Sequence, residues 1–407
     1  MCQCLLSHFS VARLAPLLVP LLALSSSPVD AEPQPASSST SAQVPLEEFS
    51  PSFLGIYRKV MEIEAEIGRH ADAYGVDVDL AWAVCLYESG GNGQLNSWAG
   101  ARGYFQVMPA TFRSLGVDTN IEAGVKYLSQ MIGRFDREDY ALAAYNGGPG
   151  RVTRGRPPLE SLQYVLGVGQ YRSVLKLHRR AIHHHAQQLS LETVREGDDW
   201  WSLSQRTGMP ILQLRLHNPF LATRALRAGQ QIAVPPAPRT DLFSPAGDDV
   251  EYTTRHGDNY FNLAFILDVP LETLRDANGL WRLQTLPAGQ VLRIPLAWEG
   301  KYNEHEVGPG DTLHTVAEAR KSLPWRIIRD NRLLWDEQLA PGMLLKVRPE
   351  APQPTYVTHR VSSGDTLGGL ADRYGTSIRA IQSANSLGRS TLIRVGQRLR
   401  IPSRSSG

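Results

Sequence analysis

Between residues 79 and 88 the chain reads Asp-Leu-Ala-Trp-Ala-Val-Cys-Leu-Tyr-Glu, with Leu80, Val84 and Glu88 at i, i+4 and i+8. That spacing predicts a helix whose apolar stripe faces a core and carries a carboxyl at its last position. Asp77 or a neighbour caps the start, and Gly90-Gly91 ends it. Upstream, Ile56, Val60, Ile63 and Ile67 form one helical stripe closed by Gly75. Further helices are predicted over 110–115, 121–134 and 140–144, with Asp118 and Glu122 capping the second of these, and a basic helix over 172–188.

From residue 191 the pattern changes to short strands alternating with short helices. Gly-Asp recurs at Gly197-Asp198, Gly257-Asp258, Gly310-Asp311 and Gly364-Asp365. Asn218, Asn278, Asn331 and Asn385 follow at one fixed interval, and Gly229, Gly289, Gly342 and Gly396 at another. An apolar residue stands four before each Asn (Leu214, Leu274, Ile327, Ile381) and three after each second Gly (Ile232, Leu292, Leu345, Leu399). This register defines four copies of a βααβ unit.

Composition narrows the class. The chain has 407 residues, 42% hydrophobic and 20% charged, which is ordinary folded material in more than one domain. A formal net charge of +2 gives no global field that would favour nucleic acid. Arg13 followed by the apolar run 14–24 and the small residues Val29-Asp30-Ala31 reads as a secretory signal, too short to span a bilayer. Residues 32–51 are rich in Pro, Ser and Thr and read as a flexible tether. Cys2 and Cys4 precede the signal's apolar run, so the exported chain keeps Cys85 alone, a small buried hydrophobe on the predicted helix. His183-His184-His185 point in different directions on a helix and do not make a metal site.

Four separated segments then fall into one order: Glu88-Ser89-Gly90, the Gly-rich turn Ala99 to Met108-Pro109 with Gln106, Asn120-Ile121-Glu122-Ala123-Gly124, and Ala144-Tyr145-Asn146-Gly147-Gly148. Together they resemble the lytic transglycosylase (SLT, lysozyme-like) domain. The residues support its chemistry independently, because a carboxyl buried at a helix C-terminus is pushed toward its neutral form. A neutral carboxylic acid can protonate a glycosidic oxygen. The competing reading is a helix-end Glu solvated beyond the core edge. Between Ser89 and Tyr145 no second carboxyl stands in the Gly-rich turn or beside Tyr145. The resemblance implies cleavage of the β-1,4 bond between N-acetylmuramic acid and N-acetylglucosamine in peptidoglycan by one Glu. That Glu protonates the leaving oxygen and then deprotonates the sugar's own C6 hydroxyl, closing a 1,6-anhydro ring. It implies Glu88 as the catalytic residue and Ser97, Gln106, Met108, Tyr145 and Asn146 as substrate-binding, with no cofactor or metal. Met108 as core filler, Tyr145 as a packed aromatic and Asn146-Gly147-Gly148 as a turn are the plain structural alternatives. Tyr104-Phe105 departs from the family's smaller pair before the Gln.

The repeated unit resembles the LysM domain, a binder of N-acetylglucosamine-containing glycans. The fourth copy is nearest the family pattern. There the resemblance places glycan between two loops, at Asp365, Thr366 and Leu367 and at Asn385, Ser386 and Leu387. Asp199 and Asn259 replace the Thr in copies one and two, and Asp268 and Lys321 replace the helix-ending Gly in copies two and three. The expected architecture is multidomain: a signal at 1–31, a tether at 32–51, an all-α lysozyme-like catalytic domain at 52–188, and small α+β repeats at 191–236, 250–297, 303–349 and 356–403. The expected protein is exported to the periplasm or cell envelope of a bacterium and binds peptidoglycan strands, with no transmembrane segment in its mature chain and no nucleic-acid partner. A hydrolytic muramidase on the same fold and a noncatalytic wall-binding scaffold are the alternatives. On this reading the site lies wholly in the first domain, and the array only holds the enzyme on polymer.

Overall fold

The computed structural model describes residues 44–97, 99–281, 283–296, 301–333, 339–348, 355–385, 387 and 391–403. The predicted signal, most of the tether and Ser386 lie outside the described residues.

The first domain holds helices α1 (Pro51–Met61), α2 (Glu64–Tyr74), α3 (Val78–Ser89), α4 (Pro109–Leu115), α5 (Asn120–Arg134), α6 (Glu138–Gly147), α7 (Pro149–Thr153) and α8 (Leu159–Ala186). Asp77 caps α3 by accepting from the Leu80 amide at 2.8 Å, and Gly90 ends it in the left-handed region at φ 55°. Every residue from Leu80 to Leu86 is buried, so α3 is the domain's central helix, apolar on all sides and not merely along one stripe. The stripe from Ile56 to Ile67 is split, because the chain leaves helical geometry at Ile63 between α1 and α2. Thr119, not Asp118 or Glu122, caps α5, its hydroxyl accepting from the Glu122 amide at 3.1 Å. The Glu122 carboxylate instead accepts from the Tyr74 hydroxyl at 2.7 Å. Helix α8 begins at Leu159, well before residue 172. Two glycines disguise its first half, and Gly167 is required there because a Cβ would stand 2.1 Å from the Tyr87 ring.

The end of the expected tether is not flexible chain. Phe49 is fully buried against the rings of His178, His185 and His256, and the Ser50 amide donates to the His256 carbonyl at 3.0 Å.

Each repeat closes with an antiparallel strand pair: Ser190–Thr193 with Gln231–Val234, Asp249–Thr253 with Val291–Ile294, Asn303–Glu306 with Leu344–Val347, and Thr355–Arg360 with Arg398–Ser403. The second repeat gains an unforeseen third strand, Phe243–Ala246. The recurring residues are explained by the fold. Gly197, Gly257, Gly310 and Gly364 have φ between 81° and 89°, open to glycine alone at low cost. The Asp after each accepts from the backbone amide three residues earlier, at 2.7–2.8 Å. Each recurring Asn ties its helix to the closing strand. Asn385, for example, donates to the Ile381 and Arg400 carbonyls at 2.8 and 2.7 Å and accepts from the Arg400 amide at 2.7 Å.

Repeats two and three share one hydrophobic core, which Ile211, Leu212 and Leu216 of repeat one join, while the rest of repeat one packs around Val194, Leu203, Leu214 and Ile232; repeat four has its own core around Leu367, Leu370, Ile381, Leu399 and Ile401. Arg215 of repeat one donates to the Ile266 carbonyl of repeat two and lies 4.3 Å from the Trp325 ring of repeat three. Among the described residues no helix is long and apolar enough to cross a membrane.

Candidate active site

Glu88 occupies the last turn of α3, whose burial the all-apolar run enforces. Its carboxyl is packed by protein with only a rim open, and this desolvation pushes its pKa up to about 8. The Tyr164 hydroxyl of α8 faces the carboxyl without closing a well-aligned hydrogen bond to it, and opposes the rise; the Glu160 carboxylate adds to it. Burial and the nearby Glu88 charge raise Tyr145 and Tyr164 well above the ordinary phenol range, so both hydroxyls stay protonated. The two rings stack at 6.3 Å, and Tyr87 meets Tyr164 edge-on at 5.3 Å. The site is thus a carboxylic acid, neutral near pH 7, against a wall of phenols. Cys85, one turn earlier, is fully buried with its thiol pushed up by desolvation, which removes it as a nucleophile.

The loop after Gly90 is held in shape by its own hydrogen bonds. Gln106 holds φ 47°, and its side-chain amide donates to the Leu95 and Gly103 carbonyls at 2.9 and 2.7 Å. Those two bonds hold a conformation that costs a non-glycine residue free energy. The Ser97 hydroxyl accepts from the Ala101 amide at 3.0 Å, and Met108 is 44% exposed ahead of α4. Tyr145 donates to the Phe105 carbonyl at 2.9 Å, which ties α6 to this loop. Asn146 is exposed and accepts from the Ser161 hydroxyl at 2.8 Å.

A groove of about 470 Å³ runs along the phenol wall, lined by Tyr87, Asn146, Glu160, Gln163, Tyr164 and Tyr171 from the first domain. Phe220 of repeat one and Asn259, Phe261, Asn262 and Phe265 of repeat two complete the lining. Of the residues expected from sequence, Tyr145 stands close enough to feel the Glu88 charge and Asn146 lines the groove. Gln106 and Ser97 are held within the loop after Gly90, and with Met108, Tyr145 and Glu88 itself they lie outside the groove lining. Tyr164, Glu160 and the three phenylalanines were missed. The signal for Tyr164 was the 3.6-residue spacing of Ser161, Tyr164, Val168, Tyr171 and Leu175, all buried.

The fourth repeat departs more from expectation. The Asp365 carboxylate is spent on the Ser362 amide and His359, Leu367 is core, and Asn385 is used within the fold as described. Leu387 packs on that core, and among the described residues of the group only Thr366, which caps its helix, is an exposed side chain.

Residues 66–157 match the transglycosylase SLT domain, and residues 193–235, 252–295, 305–348 and 359–402 match the LysM domain. The chain is 37% identical over 95 residues to the transglycosylase of Enterobacteria phage PRD1, covering 22% of this chain and 36% of that protein. It is 34% identical over 110 residues to membrane-bound lytic murein transglycosylase F of Desulfosudis oleivorans, covering 24% of each. Over 218 residues it is 22% identical to N-acetylmuramoyl-L-alanine amidase sle1 of Staphylococcus epidermidis, covering 54% of this chain and 52% of that one. The chain therefore spans between about a quarter and a half of the lengths of these relatives. Among solved structures, an inactive mutant of lytic transglycosylase Slt from Pseudomonas aeruginosa aligns at 27% identity with a TM-score of 0.26, over 29% of this chain and 25% of that one. The chain is built of a transglycosylase SLT domain followed by four LysM domains.

Proposed function

We propose that the protein is a peptidoglycan lytic transglycosylase that cleaves the β-1,4 bond between N-acetylmuramic acid and N-acetylglucosamine. The observation that carries this is Glu88, a carboxyl held neutral near pH 7 beside Tyr164, whose side chain lines a sugar-sized groove. Protonated Glu88 donates its proton to the glycosidic oxygen as the C1–O bond breaks. The resulting carboxylate takes the proton of the C6 hydroxyl as O6 bonds to C1, leaving a 1,6-anhydro end with no water consumed. Phe220, Phe261 and Phe265 offer rings to the apolar faces of pyranoses, and Asn146 and Gln163 offer polar partners to hydroxyls. The outer LysM repeats hold the enzyme on the wall, which raises the local concentration of strands. The work is done outside the cytoplasm, in the cell envelope, as the predicted signal requires.

Glu160 supports a second reading. A carboxylate that reaches into the same groove could activate water, giving a hydrolytic muramidase. Mass spectrometry of products from purified peptidoglycan decides between them. Anhydro ends carry the first reading, reducing ends the second, and uncut strands would leave only a wall-binding scaffold.

A further inference from the structure

In the LysM register, the groove of repeat two lies between the loop at Gly257-Asp258-Asn259 and the segment after its second helix (Leu271–Ala277) that runs to Gly289. That space is filled by the catalytic domain. Gln170 of α8 donates through its carboxamide to the Asp258 carbonyl at 3.1 Å and the Leu286 carbonyl at 2.8 Å, one from each wall. The Tyr171 hydroxyl beside it takes amide hydrogens from Asn259 at 2.9 Å and Asn262 at 3.2 Å. The gap left between α8 and these loops is about 10 Å³, room for one water molecule at most and none for a sugar. Gly257, Asp258, Asn259 and Tyr260 are all buried, whereas Gly310 and Thr312 of repeat three and Gly364 and Thr366 of repeat four are exposed.

The departure of repeat two from its family pattern then has a cause. Asn259 replaces a Thr that would offer one hydroxyl, and its amide both caps the following helix and reaches Tyr171. A primary carboxamide between two backbone carbonyls also offers the same donor, an amide N–H, as the acetamido group of an N-acetyl sugar.

We infer that the second LysM repeat is an internal docking domain whose glycan groove is permanently occupied by Gln170 and Tyr171 of the catalytic domain. Its role is to hold Phe261 and Phe265 against the catalytic groove, and wall glycan is left to the outer repeats. The inference rests on the reading of these repeats as binders of N-acetylated glycan.

Hydrogen exchange on the full-length protein, with and without N-acetylglucosamine tetramer, tests it. In the native chain, residues 256–258, which lie outside the lining of the catalytic groove, exchange slowly and the sugar leaves them unchanged. In Gln170→Ala, losing two hydrogen bonds speeds exchange there about tenfold, residues 308–314 serve as an unchanged reference, and added sugar slows 256–258 again. Slowing of 256–258 by sugar in the native chain would overturn the inference, and so would unaltered sugar-free exchange in Gln170→Ala. Should sugar slow exchange nowhere in the chain, the glycan reading of the repeats falls, while the sugar-free comparison still decides whether Gln170 holds the dock.

Discussion

A Cβ on Gly55 would stand 1.9 Å from the carbonyl oxygen of His217, so α1 and the first repeat meet backbone against backbone. Around that point Ser52 donates to the Leu216 carbonyl at 2.9 Å, and the buried Lys59 ammonium donates to Asn218 at 3.1 Å. Farther along, Phe53 lies so close to Gly257 that a Cβ there would come within 2.3 Å of its ring. Repeats one and two therefore cover apolar surface that the catalytic domain cannot leave in water.

Truncation separates this arrangement from a simple tethered array. A chain ending near residue 188 is expected to melt far below the full protein, or to aggregate, and to lose turnover of short soluble glycans. A chain ending near residue 350 keeps repeats one to three with the apolar contacts that join them and is expected to keep that turnover while binding insoluble peptidoglycan less tightly. Thermal melts, turnover and wall pull-down of the two chains check this. Full activity in the shorter chain would restore the view that the site is confined to the first domain.

Replacing Glu88 by Gln removes the transferable proton and nearly keeps the shape. Turnover is expected to fall about 100- to 10,000-fold, the usual worth of a general acid, with wall binding unchanged. Stability moves the other way. The folded carboxyl titrates at about 8 and an unfolded one at about 4.5, so the native protein loses stability as pH rises through that window. The variant does not, and its melting point relative to the native protein should climb between pH 5 and pH 8, by a few kcal/mol at most in stability. A difference in melting point that is flat with pH would show that Glu88 is not desolvated.

Tyr164 and Glu160 press on Glu88 in opposite directions. With the native protein, kcat/KM is expected to fall as pH rises past about 8, where the acid loses its proton. Tyr164→Phe removes the hydroxyl that favours the carboxylate and should shift that limb to higher pH. Glu160→Gln should shift it lower while anhydro products persist. Loss of all cleavage in Glu160→Gln, or a switch in its product ends, would instead make Glu160 a second catalytic carboxyl.

The catalytic helix and the repeat register were legible because both are local. An apolar run ending in Glu88 and then Gly90-Gly91, and Gly-Asp at a steady interval to Asn, need no tertiary knowledge. The meaning of the repeated side chains was not legible. Asp365 and Asn385 recur because the fold consumes them, and a fixed position looks the same whether it holds a turn or a sugar. Docking was invisible for a related reason. Gln170 and Tyr171 sit on a helix whose first half is broken up by glycines, and their partners lie about 90 residues away or more. Gly55 carries no pattern that sets it apart in the sequence, yet it is the contact surface itself.

Lys59 offers the sharpest test of the docking face, because it is a cation buried where the catalytic domain meets repeat one. Burial lowers its pKa to about 7, and the nearby His217 is lowered to about 4 for the same reason. In the unfolded chain the lysine stays protonated up to about 10.5. Below pH 7 both states carry the proton and the folded state bears the whole desolvation cost. Between about 7 and 10.5 the folded lysine is neutral, and stability climbs with pH. Lys59→Met fills nearly the same volume, and Asn218 Oδ1 still accepts from the Ala233 amide at 2.9 Å, so no acceptor is orphaned. The variant should therefore be more stable than the native protein by a few kcal/mol at pH 6, with the advantage shrinking steadily toward pH 10. Urea melts across that range measure it. A variant less stable at pH 6 would mean that the Lys59–Asn218 bond outweighs the burial of the charge, and that the first repeat is held to α1 by that bond rather than by the apolar contact around Gly55.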